Sequence, residues 1–250
     1  MKNIVNKFII LCMICNVAFA QSNKVISHSN IGWYQYFGTI QLTSKISVVT
    51  EYQWRREDFV RTWQQSIARI SVNYKTKAGA TLQGGYGFIQ SFPFGDYPTL
   101  KGIQNENRIH QSLIWNSAQG KFDLMTRIRL EQRWFMPYLP GDTKVVYVNR
   151  IRYMLKVSYP ITTKLKAIVW DELFTSFGKN VKANVFDQNR LFIGVAYEWA
   201  KGQKVELAYL SHIVEQGNRV TDKPVFQFNN GFVLSVYNLF DMRKKEETKK

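Results

Sequence analysis

The segment 127–135, RIRLEQRWF, places Arg127, Arg129, Glu131 and Arg133 at every second position, with Ile128, Leu130, Gln132 and Trp134 between them. Only an extended strand puts alternate side chains on opposite faces, so one face here is charged and the other largely apolar. The same period of two recurs along the chain. Ile46, Val48, Thr50, Tyr52 and Trp54 alternate with Ser47, Val49, Glu51, Gln53 and Arg55. Ile109, Leu113 and Trp115 oppose Glu106, Arg108, His110 and Ser112, and Leu191, Ile193 and Val195 oppose Gln188 and Arg190. Helical periodicity is absent, and no segment after the first twenty residues approaches the 18 consecutive apolar residues of a membrane-spanning helix.

Eleven segments carry the pattern, near 31–42, 45–55, 62–75, 79–90, 105–117, 121–135, 144–159, 164–174, 185–199, 204–215 and 225–240. Most exceed the five or six residues, roughly, of a strand in a soluble protein and match the about 9–11 residues of a tilted strand that crosses a bilayer. Their connections alternate between short (Thr43-Ser44, Ser117 to Gly120, Pro160 to Thr163) and mostly longer (Ser91 to Gln104, Met136 to Thr143, Thr175 to Asn184). Short turns at one end and long loops at the other are the habit of outer-membrane barrels. The fold expected is therefore all-β, an antiparallel up-and-down transmembrane β-barrel of ten to twelve strands. Twelve is preferred because bacterial single-chain barrels have even counts, with Lys24 to His28 as a short extra first strand.

In such a barrel the outward residues are apolar and the inward ones can be polar. The charged residues that share inward parity are Arg69, Glu106, Arg108, Arg127, Arg129, Glu131, Arg133, Arg150, Arg152, Glu172 and Arg190. An arginine facing lipid at mid-bilayer costs about 2–4 kcal/mol, so a slip of one residue would expose the whole ladder and is disfavoured. Two roles fit these side chains. Arg and Glu on neighbouring strands pair and fill a narrow lumen, a task suited to the forked guanidinium; or an excess of arginine makes an anion-selective lining.

The first twenty residues, MKNIVNKFIILCMICNVAFA, read as a secretory signal peptide: Lys2 and Lys7, a short apolar core from Phe8 to Cys15, and Ala18-Phe19-Ala20 at the cleavage site. The apolar stretch is short for a membrane anchor, and Ile14 before Cys15 does not suit a lipoprotein signal. Cleavage leaves 32 basic against 18 acidic residues and removes both cysteines, Cys12 and Cys15. The organisation expected is a signal peptide at 1–20, a barrel over 21–241 and a charged tail over 242–250, where Arg243 to Lys250 reads RKKEETKK.

Glu106-x-Arg108 with Gln111, Arg127-x-Arg129-x-Glu131-x-Arg133, Arg150-x-Arg152, Asp171-Glu172 and Gln188-Asn189-Arg190 follow one another in an order that resembles the bacterial family catalogued as domain of unknown function 2490. The resemblance runs from about Trp33 to Phe240. It implies an exported outer-membrane β-barrel and implies no activity.

Other signals are weaker. His110 and Ser112 lie two apart, an arrangement similar to that of outer-membrane lipid acyl hydrolases, where His activates Ser. Their parity aims both inward, so a hydrogen-bonded lumen pair is the preferred reading and the chain is expected not to be an enzyme. Asp171 and Glu172 are adjacent and point to opposite faces. Gly84-Gly85-Tyr86-Gly87-Phe88 lacks the Lys-Ser/Thr of a phosphate loop and reads as glycines that ease strand curvature or allow close packing against a large neighbour. Three histidines form no metal-ligand spacing, and no cofactor is expected. The net charge of +16 suits nucleic acid on composition alone, but a leader peptide and arginines distributed by strand parity argue against it. The expected partners are outer-membrane lipid, lipopolysaccharide phosphates at the basic rim and the barrel insertion machinery, with the chain a monomer. Tyr34, Tyr36, Tyr52, Trp54, Tyr74, Tyr153, Tyr159, Tyr197 and Trp199 are candidates for interfacial girdles. A soluble periplasmic barrel holding an apolar ligand is the rival, and it requires charges outside and apolar residues inside. In the last segment Phe232, Leu234, Val236 and Phe240 resemble a terminal insertion signal that Asn238 interrupts.

Overall fold

The computed structural model describes residues 24–139, 141–181, 185–217 and 220–243; residues 1–20, expected from sequence to be a signal peptide, and most of the charged tail lie outside them. Eleven strands follow one another: β1 (Val25–Gln41), β2 (Ile46–Glu57), β3 (Thr62–Lys75), β4 (Thr81–Ser91), β5 (Gln104–Gln119), β6 (Phe122–Phe135), β7 (Val146–Pro160), β8 (Leu165–Phe177), β9 (Phe186–Ala200), β10 (Gln203–Gly217) and β11 (Val225–Asp241). Each pairs antiparallel with the next, and β1 pairs parallel with β11 to close a barrel.

The extra first strand is absent. Val25 to His28 belong to β1, because inward parity runs unbroken through Ser27, Ser29, Ile31 and Trp33, with Ser27, Ile31 and Trp33 buried. An odd number of up-and-down strands leaves the first and last pointing the same way, so closure must be parallel. The seam uses all 17 residues of both strands, from Val25 opposite Val225 to Gln41 opposite Asp241. Both strands run from the long-loop end to the short-turn end.

The register fixes which way each side chain points. From Gln41 on β1, the pairing leads through Ser47, Asn73, Gln83, Ser112, Arg129, Arg152, Phe174, Gln188, Val214 and Gln227 back to Ser27 on the same strand. The circuit displaces the chain by 41 − 27 = 14 residues along β1. That number is even, so a residue facing inward returns to an inward-facing one, and eleven strands close without a clash of faces.

Outward positions form an apolar wall on every strand. Ile70, Leu82, Leu113, Ile128, Ile151, Val169, Ile193 and Leu207 are all exposed, as are Tyr36, Tyr52, Tyr74, Trp115, Tyr159, Tyr197 and Trp199. Toward the long-loop end the same face turns polar. Tyr86 donates to Asn107 (2.5 Å), Gln90 to Asn105 (3.2 Å) and Tyr147 to Asn149 (2.6 Å). In β11, Phe228, Phe232, Leu234, Val236 and Phe240 share the outward face, and Asn238 between them donates its amide to Gln203 on β10.

A charged and packed lumen as the candidate functional site

All eleven arginine and glutamate positions singled out from the ladder lie on the inward face. Glu131, fully buried on β6, receives Arg108 of β5 (3.4 Å) and both Arg150 (2.5 Å) and Arg152 (2.8 Å) of β7. Glu106 accepts from Arg108 (2.7 Å) and Arg133 (2.9 Å). Glu172 on β8 accepts from Arg127 (2.7 Å) and Arg152 (2.8 Å). Arg69 pairs separately with Glu51 across β2 and β3. Arg129 and Arg190 meet neutral acceptors instead: Arg129 donates to Ser112 (2.8 Å) and Gln83 (2.7 Å), and Arg190 to Gln188 (2.8 Å).

With Asp187 of β9, which accepts from Arg150, five strands contribute to one connected set of charge-assisted hydrogen bonds, and each carboxylate of that set meets at least two guanidinium groups. Burial is what gives these contacts weight. Exposed pairs are worth about 0–1 kcal/mol, whereas a buried charge left without its partner costs about 3–5 kcal/mol.

Aromatic and apolar side chains complete the filling. Phe174 is fully buried, and the guanidinium carbons of Arg152, Arg190 and Arg150 stand 4.4, 4.5 and 5.1 Å from its ring centre. Trp33 lies between Arg55 (3.7 Å) and Arg190 (4.9 Å) and donates its indole N–H to Gln64 (2.7 Å). The delocalised, weakly hydrated guanidinium tolerates this stacking in a buried site. On the β8–β11 and β1 side, Ile31, Ile168, Phe192, Ala196, Ala208, Leu210 and Val233 form an apolar cluster with Trp33. The lumen is therefore largely polar, with one apolar cluster packed among the polar residues of that side.

Parity reasoning stopped short of several of these residues. Glu51 and Arg55 lie on the charged face of β2, and Phe174 and Phe192 share the parity of Glu172 and Arg190, so the signal for them is present in the sequence. Asp187 has no such signal. A bulge opposite Phe174/Thr175 shifts the register of β9, and Asp187 reaches Arg150 at 2.8 Å. Gln64 likewise sits at the irregularity opposite Arg55/Arg56.

His110 and Ser112 are both buried and aim inward. The His110 ring shares a hydrogen bond with Ser71 (3.1 Å), while Ser112 accepts from Arg129 and donates to Gln83 (3.4 Å). Each serves a separate partner within the packed interior, away from the outward face. The glycines of 84–88 have a packing reason on the inward side: a Cβ on Gly87 would lie 2.8 Å from Arg69 Cγ.

The two mouths differ. At the long-loop end, the connection 92–103 reaches into the barrel, with Gly95 N donating to Glu57 (2.9 Å) and Ser27 Oγ to Asp96 (3.2 Å). At the short-turn end a cavity of about 610 Å³ opens below the network, with Lys156, Lys204, Glu206 and Ile168 in its lining. Glu206 is buried there, accepting from Lys156 (3.0 Å), Lys204 (2.9 Å) and Tyr237 (3.0 Å). Among the described residues no group of histidine, aspartate and glutamate side chains could hold a metal ion.

An apolar outer wall around an Arg/Glu-filled interior defines the class: a closed β-barrel turned inside out relative to soluble barrels. The chain belongs to the family described as "Protein of unknown function (DUF2490)", whose profile matches residues 30–223. A comparison with curated proteins matches none of them, and a comparison with solved structures matches none either.

Proposed function

We propose that the protein spans the bacterial outer membrane as a structural barrel whose lumen is closed at rest. The observation that carries this reading is the outward apolar wall on every strand, combined with charges confined to the inside. An exposed apolar face on every strand is rare on soluble monomers, whose largest apolar patches typically cover about 300–600 Å². Tyr and Trp near the strand ends suit the two interfaces of a bilayer. Lysines and arginines at the rim suit phosphate groups of lipopolysaccharide and phospholipid, and β11 is the segment offered to the barrel insertion machinery.

Closure is supported by the buried mid-lumen: Glu131, Phe174 and Leu210 have no exposed surface. The purified barrel reconstituted in a planar bilayer is expected to give no stable conductance steps. Persistent steps with anion preference would favour the second reading, a narrow pore for small anionic solutes. That reading has its own support, since the nine inward arginines (Arg55 and Arg69 among them) pair with only five carboxylates, Glu51, Glu106, Glu131, Glu172 and Asp187, and Arg55, Arg129 and Arg190 meet neutral acceptors instead. A lipid acyl hydrolase would instead cleave ester lipids and lose that activity in Ser112→Ala.

A further inference from the structure

The cavity at the short-turn end is built from inward residues that the arginine network does not use. Glu206 on β10 is almost fully buried, and Lys156 and Lys204 both donate to the same oxygen, Oε1, at 3.0 and 2.9 Å. Tyr237 donates to the other oxygen, Oε2, at 3.0 Å. One carboxylate therefore holds two ammonium groups close together, and each ammonium has three protons of which Glu206 takes one. Lys156 and Lys204 line the cavity and keep 17% and 32% of their side chains exposed, so both are open to it. Of the other charges in the lining, Lys166 pairs with Asp123 (2.8 Å) and Glu198 accepts the backbone N–H of Gly202 (2.8 Å). With Lys164 the lining holds four lysines against three acids, an excess of one positive charge. Ile168 and Ala196 from the apolar cluster, with Met125, line the same space.

The mouth is charged to match. Each of the five short turns carries a lysine and no acid: Lys45, Lys77, Lys121, Lys164 and Lys201. Charge of one sign around a cleft draws counter-ions into it. We infer that this cavity binds a small organic monocarboxylate, its carboxylate held between Lys156 and Lys204 and its apolar body against Ile168, Ala196 and Met125. The volume of about 610 Å³ falls within the range of about 300–1,000 Å³ typical of small-molecule sites. Met154 and Glu172, further in on β7 and β8, are buried, so the ligand enters and leaves by the short-turn mouth. The inference goes beyond the structural reading above, since it adds a ligand to a lumen that conducts nothing. The site lies inside the barrel and stands whatever covers the outer wall.

Isothermal titration of the detergent-refolded barrel, set against protein-free micelles, tests this with benzoate, neutral benzamide and inorganic phosphate as probes. Benzoate is expected to bind saturably and benzamide not to bind. Phosphate, which lacks an apolar body, is expected to bind more weakly than benzoate. Lys204→Met should weaken benzoate about tenfold to hundredfold, the worth of one hydrogen bond to a charged group, while Lys204→Arg keeps the cation and should retain binding. Ser158→Trp fills the cavity from β7 with every charged residue left in place, and should abolish binding. Heat modifiability reports whether each variant folds, and the three-probe comparison on the native barrel decides the matter even where one does not. No saturable benzoate binding, benzamide binding as tightly as benzoate, phosphate binding more tightly than benzoate, or benzoate binding that survives both Lys204→Met and Ser158→Trp would each overturn the inference. Recovery of the chain in the soluble fraction would contradict the membrane reading alone.

Discussion

Replacing Glu131 with alanine is expected to prevent the barrel from reaching a stable folded state. Glu131 is fully buried and holds Arg108, Arg150 and Arg152. Removing it leaves three guanidinium groups buried without that carboxylate, in a network that already contains more arginine than carboxylate. Breaking one buried ion pair costs about 3–5 kcal/mol, and typical net stability is only about 5–15 kcal/mol. Glu131→Gln keeps the volume and loses the charge, and should cost nearly as much if electrostatics rather than packing dominates. Adding Arg150→Met to Glu131→Gln removes one of the orphaned charges and should recover part of the loss, since the two sites share a contact. Denaturant unfolding of the refolded protein in lipid vesicles measures all three. A Glu131→Ala barrel as stable as the native one would show the network to be incidental.

The second large effect concerns the outer wall. Ile128 lies on β6 between Leu113 and Tyr153 and is 43% exposed. Ile128→Arg is expected to lose about 2–4 kcal/mol of stability in a bilayer, one residue away from Arg127 and Arg129, which the lumen accepts. The measurement is unfolding in vesicles set beside the native protein. If the protein were instead a soluble barrel, an exposed Ile128→Arg would fall within about 0.5 kcal/mol of neutral, so the size of the change separates the two settings.

These predictions rest on features that the sequence displays unevenly. Strand parity is legible because period-two alternation persists over eleven long segments, and one face repeatedly carries charge that lipid would reject. The range expected for β3, 62–75, coincides with the strand Thr62–Lys75, although its alternation is continuous only beyond Gln64. The strand count was obscured by a general rule. The preference for an even number favoured a separate short strand at Lys24 to His28, whereas the parity of Ser27, Ser29 and Ile31 continues unbroken into Trp33. Which arginine meets which glutamate is not a local property. It depends on a displacement of 14 residues around the barrel, which only the full set of pairings reveals. Asp187 and Gln64 join the interior through bulges, and no residue at those positions announces one. The apolar cluster of the lumen is hidden by chemistry: Phe174 and Phe192 share the inward parity of Glu172 and Arg190, but an apolar side chain carries no charge to mark its face as the inner one. Asp171 was legible as an outward residue, but its position at the middle of the wall emerges only once β7, β8 and β9 are aligned.

Cell fractionation followed by a heat-modifiability gel of the detergent-extracted protein tests the central claim most directly. The account predicts recovery with the outer membrane and a mobility that changes on boiling, as a folded barrel opens. Recovery in the soluble periplasm without detergent would contradict it, because the apolar wall would then have to be covered by something other than lipid.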